Sequence, residues 1–493
     1  SGAQSLTYDA CVIGAGADGL AAATQLARAG LRTVVVERNR QPGGRCQTRE
    51  FHPGFRASSF ADELAPIPSA LFWSLGLARR GVIFLPAGPP SSQAARRLMS
   101  STAALRDAVI CRSQQDAEQP SPGRGIFRRR PEGPRSWPGE QWMDRSLAEE
   151  LDRMRLAPEE AAQFTAAALC GRAADPLLAG SALHLLVPGA GGSGAAVGGL
   201  GTLATALSDC AREAGVELML GVEASEVRRA RGQALTVGLS NGKELAAAAL
   251  ISTLDLKRTL LSLFSWNDLP PAVLRRAGAF RARGSTARVL LALERPPERP
   301  AGTESPICPS RGALYAKLPL EAFEGAYASW RAGVIPSRPP AAVRLVSAID
   351  PRLAPAGAAT LTITLGCIPA RPFDGAWTKE KRELLRDRAV TAADGMLPGT
   401  SARVLAADVI VPPDMEDALG ATDGDLWGGE IMPDQMFGFR PWGDPGSAVS
   451  PRSPIAGLYL AGPSSAAGLF ATCASGAIAA AAVIADRKAG RLR

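Results

Sequence analysis

The run Tyr8-Asp9-Ala10-Cys11-Val12-Ile13 leads without a break into Gly14-Ala15-Gly16-Ala17-Asp18-Gly19, and Leu31-Arg32-Thr33-Val34-Val35-Val36 then ends on an acid, Glu37. An apolar strand, a glycine turn, a helix and a second apolar strand, in that order, restrict the start of the chain to a βαβ unit. Each glycine has its own task. Gly14 permits the tight turn, Gly16 lets the backbone approach a pyrophosphate, and Gly19 lets the helix from Leu20 to Ala29 pack closely on the sheet. An anion fits the exposed amides at the helix N-terminus, and Glu37 is placed to accept hydrogen bonds from a ribose hydroxyl pair. In a chain with 52 glycines the motif alone is weak. With both flanking strands and the acid at the expected distance, it reads as a dinucleotide site rather than a bare turn.

After Glu37 come Arg38-Asn39-Arg40-Gln41-Pro42-Gly43-Gly44-Arg45. This stretch resembles the extended fingerprint of FAD-binding proteins in the amine oxidase and phytoene desaturase superfamily. The resemblance implies that Gly43 and Gly44 let a second loop close over the cofactor, with Arg45 near its phosphates, and Arg38 is a further cofactor-binding candidate. A 2′-phosphate on Arg38 and Arg40 is the competing reading, and Glu37 would repel one. Near the C-terminus, Gly457-Leu458-Tyr459-Leu460-Ala461-Gly462 reads as a short buried strand, and Ala471-Thr472-Cys473-Ala474-Ser475-Gly476 opens a helix of very small residues. This resembles the same superfamily's closing motif, which implies that Gly462 reaches the ribityl phosphate. It also implies that the helix N-terminus at Ser475 and Gly476 points at the isoalloxazine carbonyl, where its dipole favours the anionic reduced flavin.

The middle of the chain supports the same architecture. Leu200 to Ala214 reads as a helix and Val216 to Leu220 as a strand. Glu223 to Arg229 and Ala234 to Leu239 read as a hairpin pair leading to the turn Asn241-Gly242, and Ala246 to Ser252 as an apolar strand returning to the sheet. The resemblance implies that the Val227 backbone meets the adenine. A second glycine motif, Gly189 to Gly194, also fits GxGxxG, but Pro188 interrupts the preceding strand and no acid follows at the right distance.

The fold class expected is therefore α/β, a Rossmann-like FAD-binding domain with an inserted α+β substrate domain. The first is discontinuous, over 1–70, 181–262 and 445–493. The second, substrate-binding or lid, covers 71–180 and 263–444. Between 71 and 180 the pattern loosens into Pro-, Ser- and Arg-rich loops with helical pieces, among them Ser146 to Arg155 behind a capping serine. Phe51 to Phe55 and Gly428 to Pro441 narrow the resemblance to the phytoene desaturase-related branch with the pyridine nucleotide-disulfide oxidoreductase domain proteins. Two departures lie near the flavin site. Asp18 stands where these proteins often have asparagine, and Pro463 to Gly468 lacks their His-Pro-Gly-Gly run.

Composition bounds the remaining choices. A chain of 493 residues that is 46% hydrophobic can bury a large core, and no apolar run reaches the length of a membrane span. The eight cysteines form no CxxC pair and there are two histidines, so no metal site is expected. Thiols in apolar runs suit a cytoplasmic protein. Ser1-Gly2-Ala3 reads as a tag remnant, and no leader is visible after it. The net charge of +8 is partly concentrated between Arg124 and Arg135, which reads as a solvated loop or as a peripheral contact with anionic lipid. Nucleic acid is not expected, because no binding module accompanies the charges.

A flavin takes or gives the hydride itself, so the protein need only orient a C–H bond, exclude water and manage one proton. Amine oxidases place a lysine before an alternating strand. Here that place, in Gly284 to Leu293, holds Arg288, which stays protonated and cannot act as a base. Arg288 is the catalytic candidate, as a carboxylate anchor or a stabiliser of a developing anion, against the plainer reading of a strand arginine paired to an acid. Four tyrosines leave little for an aromatic frame around an amine. Met436, Phe437, Phe439 and Phe470, with Trp427, Met432 and Trp442, are candidates for an apolar substrate pocket, or else core. The first reading is thus an FAD-dependent oxidoreductase forming or reducing a C–C double bond in an apolar isoprenoid, polyene or acyl substrate. Oxidation of a C–N bond in an amine or amino acid, and a flavin protein acting through partners, are the alternatives. With no second nucleotide site read, oxygen, a quinone or a protein would be the electron acceptor.

Overall fold

In a computed structural model of the chain, residues 6–85, 92–119, 140–187, 194–229, 235–298, 313–441 and 449–492 are described. Gly189 to Ser193 of the second glycine motif, the Arg124 to Arg135 run, Cys308 and Trp442 lie outside them. The first half contributes β1 (Leu6–Ile13), β2 (Thr33–Glu37), β3 (Thr48–His52), β4 (Phe55–Ser58), β5 (Phe84–Leu85), β6 (Ala195–Ala196), β7 (Glu217–Leu220), β8 (Ala224–Arg229), β9 (Leu235–Leu239) and β10 (Glu244–Ser252). The second half adds β11 (Ala287–Leu293), β12 (Leu314–Tyr315), β13 (Ala341–Leu345), β14 (Ala359–Leu365), β15 (Val404–Ile410) and β16 (Leu458–Leu460).

One sheet runs in the order β7-β2-β1-β10-β9-β8, with β16 also paired to β10. Its centre is parallel: β1 pairs with β2 and β10, β2 with β7, and β10 with β16, so strands from both ends of the chain share one sheet. The hairpin β8–β9 joins antiparallel. Every residue of β2 is buried, the mark of a strand covered on both faces. The helices Ala17–Arg28, Gly201–Glu213 and Ala474–Lys488 cover one face. There Leu20, Leu26, Leu203, Leu207, Ile478 and Val483 form a single core with Val12 and Val35. That core also takes in Leu71, Leu75, Leu77 and Val82.

The other sheet is antiparallel, in the order β12-β13-β14-β11-β15. Its alternation decides where polar groups go. Ala287, Val289, Leu291, Val343, Leu361 and Ile363 face a core closed by the helix Lys379–Met396, whereas Arg288, Arg344, Thr362 and Thr364 take the other pleat. The core face supplies the apolar burial that holds the polar face in place.

The described part of 71–180 is more regular than its composition suggests, because Gln93–Glu118 is a 26-residue helix, opened by Ser92 accepting from the Ala95 amide. Its buried stripe is Ala95, Leu98, Thr102, Arg106, Val109, Ser113 and Ala117. The spacing is helical, but polar residues hold three of the seven places, which weakens the apolar period. Ser146 caps the helix Leu147–Arg153 in a reciprocal capping box with Glu149. Among the described residues no helix is long and apolar enough to cross a membrane.

Candidate flavin and substrate cleft

A cleft of about 540 Å³ runs from the glycine turn to the polar face of the second sheet. Its nucleotide end is built by local sequence. Gly14 turns at φ 100°, and a side chain on Gly19 would stand 2.0 Å from the Gly14 carbonyl oxygen, so the helix starts close against the turn. Gly16 differs: a methyl there would meet nothing within 4 Å, so the space above it is open. Gly43, at φ 131°, donates its amide to the Ala15 carbonyl at 2.8 Å, and Gly44 stacks on Gly16. The two glycine loops thus form one cradle, and the group they fit is a pyrophosphate.

Glu37 ends β2 at the cleft wall, with 7% of its surface exposed. Its carboxylate accepts from the Ala15 and Asn39 amides, each at 2.8 Å. A carboxylate has further acceptor positions, which suit ribose hydroxyls. Arg38 and Arg45 also line the cleft and donate to backbone carbonyls of the opposite wall, Arg38 to Glu416 at 3.3 Å and Arg45 to Leu426 at 2.6 Å. Gly462 lines the same end.

Three cofactor expectations shift. Val227 donates its amide to the Leu263 carbonyl at 2.6 Å and is buried in the core, and it is Ala224 and Ser225 that line the cleft. Ser475 and Gly476 lie behind the wall. The Ser475 hydroxyl donates to Asp18 at 2.7 Å and accepts from the Gly462 amide at 2.8 Å, and the Gly476 amide donates to Asp18 at 3.3 Å. Asp18 therefore ties the starts of the first and last helices together. Burial pushes its carboxyl above the usual range, against those hydrogen bonds. Cys473, just before the last helix, is held at φ 67°, a conformation costly for a residue with a side chain.

The far end of the cleft is decided by sheet order. Asp62 and Glu63, adjacent in the loop after β4, meet arginines from the two strands flanking β14. Arg288 on β11 grips both Asp62 oxygens at 2.7 Å and donates to Thr364 and to the Ser58 carbonyl at 3.1 Å. Thr362 donates to Asp62 at 2.8 Å, and Arg344 on β13 pairs with Glu63. Arg172 donates to the Ala168 and His184 carbonyls and stacks 4.2 Å over the Trp427 ring. The Trp427 indole donates to the Gly171 carbonyl at 3.1 Å. Tyr315, Cys170, Thr286 and Thr364 complete this end. Burial pushes the Cys170 thiol up to about 12 and raises the Tyr315 hydroxyl, so both stay protonated near neutrality. Burial, with Arg172 adding repulsion, lowers His184 to about 3.

Arg288 is thus not the open anchor expected of it. It is 1% exposed, its charge is matched by Asp62, and it does not line the cleft, so the plainer reading describes it. The four apolar pocket candidates also fall elsewhere. Met436, Phe437 and Phe470 are buried among Leu183, Leu185, Leu186 and Leu469, and Phe439 is half-buried with its carbonyl accepting from Arg276. The cause is Arg440, buried at the end of that loop and donating to the Trp427 and Pro463 carbonyls, which draws the segment inward. The aromatic residues that reach the cleft are Phe60, Tyr315 and Trp427. Sequence reasoning missed Asp62, Glu63, Arg172 and Arg344. The available signal was Arg344 alternating with apolar residues and Thr360, Thr362 and Thr364 doing the same two strands' length later.

Residues 12–73 match the NAD(P)-binding Rossmann-like domain, and residues 125–365 match the flavin containing amine oxidoreductase family. Pyridine nucleotide-disulfide oxidoreductase domain-containing protein 2 of Mus musculus is 25% identical over 98% of this chain and 94% of its own length. A 4,4'-diapolycopene oxygenase from Methylomonas is 26% identical over 54% of this chain and 49% of its own. Among solved structures, cyclohexylamine oxidase from Brevibacterium oxydans superposes with a TM-score of 0.58 at 16% identity, covering 98% of this chain and 99% of that one. Putrescine oxidase bound to putrescine gives 0.57 at 14% identity, covering 98% and 100%. These superpositions share the two-sheet fold. Glycine cradle, ribose-side acid, closing strand and family matches agree, and the chain is a flavin-containing oxidoreductase similar to the amine oxidase superfamily.

Proposed function

We propose that the flavin is FAD and that the protein forms or reduces a C–C double bond in a largely apolar substrate. The cleft supports a dinucleotide because it continues past the pyrophosphate cradle and Glu37 to Ala224, Ser225 and Leu263, room that a mononucleotide would leave empty. When bound, the flavin supplies the two-electron chemistry by taking or giving a hydride. The chain's own residues hold and orient. The glycine cradle takes the pyrophosphate, Glu37 fixes the ribose, and Phe60, Leu64, Ala167, Val187, Leu469 and Trp427 wall the substrate end and keep water out.

The observation that carries the C–C reading is the lining itself. Among the described residues, neither lysine nor histidine lines the cleft, and the cysteine and tyrosine beside the polar sheet face stay protonated. The carboxylates nearby are already engaged, Asp62 and Glu63 with Arg288 and Arg344 and Asp425 with the Trp427 and Gly429 amides, whereas hydride abstraction from an apolar chain asks mainly for alignment. Domain roles follow the same division: the first sheet binds the cofactor and the second positions the substrate, with oxygen, a quinone or a protein taking the electrons.

An anaerobic titration of the yellow protein with polyenes, acyl compounds and amines tests the reading. Flavin bleaching by an apolar compound, with loss of two hydrogens by mass, is the expected result. Bleaching by amines alone would transfer the protein to C–N oxidation.

A further inference from the structure

Arg344 occupies an unusual position. It is 4% exposed, lines the cleft and pairs with Glu63 through Nη2, while its Nε and Nη1 are buried without a hydrogen-bond partner. A buried guanidinium with two unmet donors is costly, because each forfeits the hydrogen bonds it would make in water. The fold does not relieve that cost from the sheet side: Ala342, on the same pleat, is small, and Thr362, opposite Arg344 on β14, donates its hydroxyl to Asp62 instead. The described charged groups of this end are Arg172, Arg288 and Arg344 against Asp62 and Glu63. Arg288 and Asp62 neutralise each other at 2.7 Å, which leaves Glu63 facing a positive environment. After pairing with Glu63, Arg344 keeps two buried donors unmet at the cleft wall, and in such a place a single anion is favoured.

We propose that this end of the cleft is a carboxylate subsite, with Arg344 as the anchoring residue and Arg172 and Tyr315 beside it, so that the substrate is an apolar molecule ending in one carboxylate. A planar guanidinium takes a carboxylate through two parallel N–H···O bonds, which fixes the direction in which the apolar body runs back along Trp427 and Leu469 toward the glycine cradle. The carboxylate can belong to a long acyl chain or to an apolar amino acid. This assignment rests on the flavin-cleft reading above but not on which bond is oxidised.

The test is a difference-spectrum titration of the oxidised holoprotein, following the flavin band, with oleate, methyl oleate, oleyl alcohol and phenylalanine. The expected result is that one of the two acids perturbs the flavin and binds on the order of ten- to a hundredfold tighter than its uncharged analogue. Binding by oleate identifies an acyl source, and binding by phenylalanine an amino acid. Arg344→Gln is expected to abolish the preference for the acid while Arg344→Lys retains part of it, with flavin content and melting temperature recorded for both. Glu63→Gln is a second arm. By removing the competing carboxylate it should tighten the acid, an effect that a purely structural role for Arg344 would not produce. Equal affinity for acid and ester, or no binding by either acid, overturns the subsite. Tight acid binding without bleaching leaves the subsite standing and sinks the C–C oxidation reading instead.

Discussion

Gly16→Ala and Gly19→Ala separate cofactor binding from folding. A methyl on Gly19 would stand 2.0 Å from the Gly14 carbonyl oxygen and 3.1 Å from its carbon, both backbone atoms, where ordinary contact begins at 3.4 Å. Turn and helix must part, and overpacking of that kind costs about 1–3 kcal/mol or more. At Gly16 φ is −71°, which alanine adopts freely, and no protein atom lies within 4 Å of the added methyl. Alanine is a poorer helix cap than glycine, by about 0.5 kcal/mol. Its smaller unfolded-state entropy returns roughly 0.4–1 kcal/mol. The apoprotein should therefore melt as the wild type does. With flavin present the methyl occupies the cradle. A tenfold loss of affinity removes about 1.4 kcal/mol of ligand-linked stability at saturating flavin. Thermal unfolding of apoprotein and reconstituted protein, beside a flavin fluorescence titration, reads both quantities. A Gly16→Ala protein that retains flavin like the wild type, or whose apo form loses as much stability as Gly19→Ala, refutes the placement of the pyrophosphate.

Asp62→Asn leaves Arg288 buried without its counter-charge and should cost about 3–5 kcal/mol in chemical denaturation. Replacing both, Asp62→Leu with Arg288→Met, should recover most of that, and no recovery would show that the pair has another role. Burial opposes ionisation of Asp62, but the Arg288 charge and hydrogen bond, with Arg344 and Thr362, hold its carboxyl below the usual range. Its contribution is present above about pH 4 and is lost as pH falls through the folded value. Asp425 behaves oppositely. Burial raises its carboxyl to about 7, against the amides of Trp427 and Gly429 and the Arg440 charge. The folded state therefore binds a proton that the unfolded state releases, and stability from this group declines from about pH 4 to 7 and then levels. Asp425→Asn should flatten that part of the melting profile, and profiles that stay parallel would remove Asp425 as its source. At the adenine side, Ala224→Arg should displace FAD with little change in apoprotein stability. Val227→Ala should cost about 2 kcal/mol and leave flavin affinity unchanged; the reverse pattern in the two titrations would restore Val227 as the cofactor contact.

The nucleotide half of the molecule was legible because its signals are local. A glycine at a turn, an acid at a strand end and a run of apolar residues each act within a few residues of where they stand, and the strands, helices and capping serine read from them lie within a few residues of their observed places. The long helix Gln93–Glu118 was hidden because polar residues occupy part of its buried stripe. The Met- and Phe-rich loop looked like a pocket because side-chain chemistry does not reveal which way a loop turns, and here a buried Arg440 turns it into the core.

By itself, the sequence determined a Rossmann-like α/β unit assembled from both ends of the chain, and the placement of Gly14, Gly16, Gly19, Glu37, Gly43 and Gly44 around one cleft. The tertiary structure alone decided the substrate end. Arg288 meets Asp62 across 226 residues and Arg344 meets Glu63 across 281. Those encounters depend on β13 and β11 both flanking β14, and on the loop after β4 reaching that sheet. Strand periodicity tells which residues share a face, but not which distant charge will stand opposite them. Where both arginines meet a carboxylate, whether donors are left unmet toward the cleft decides which is a structural tie and which a binding group.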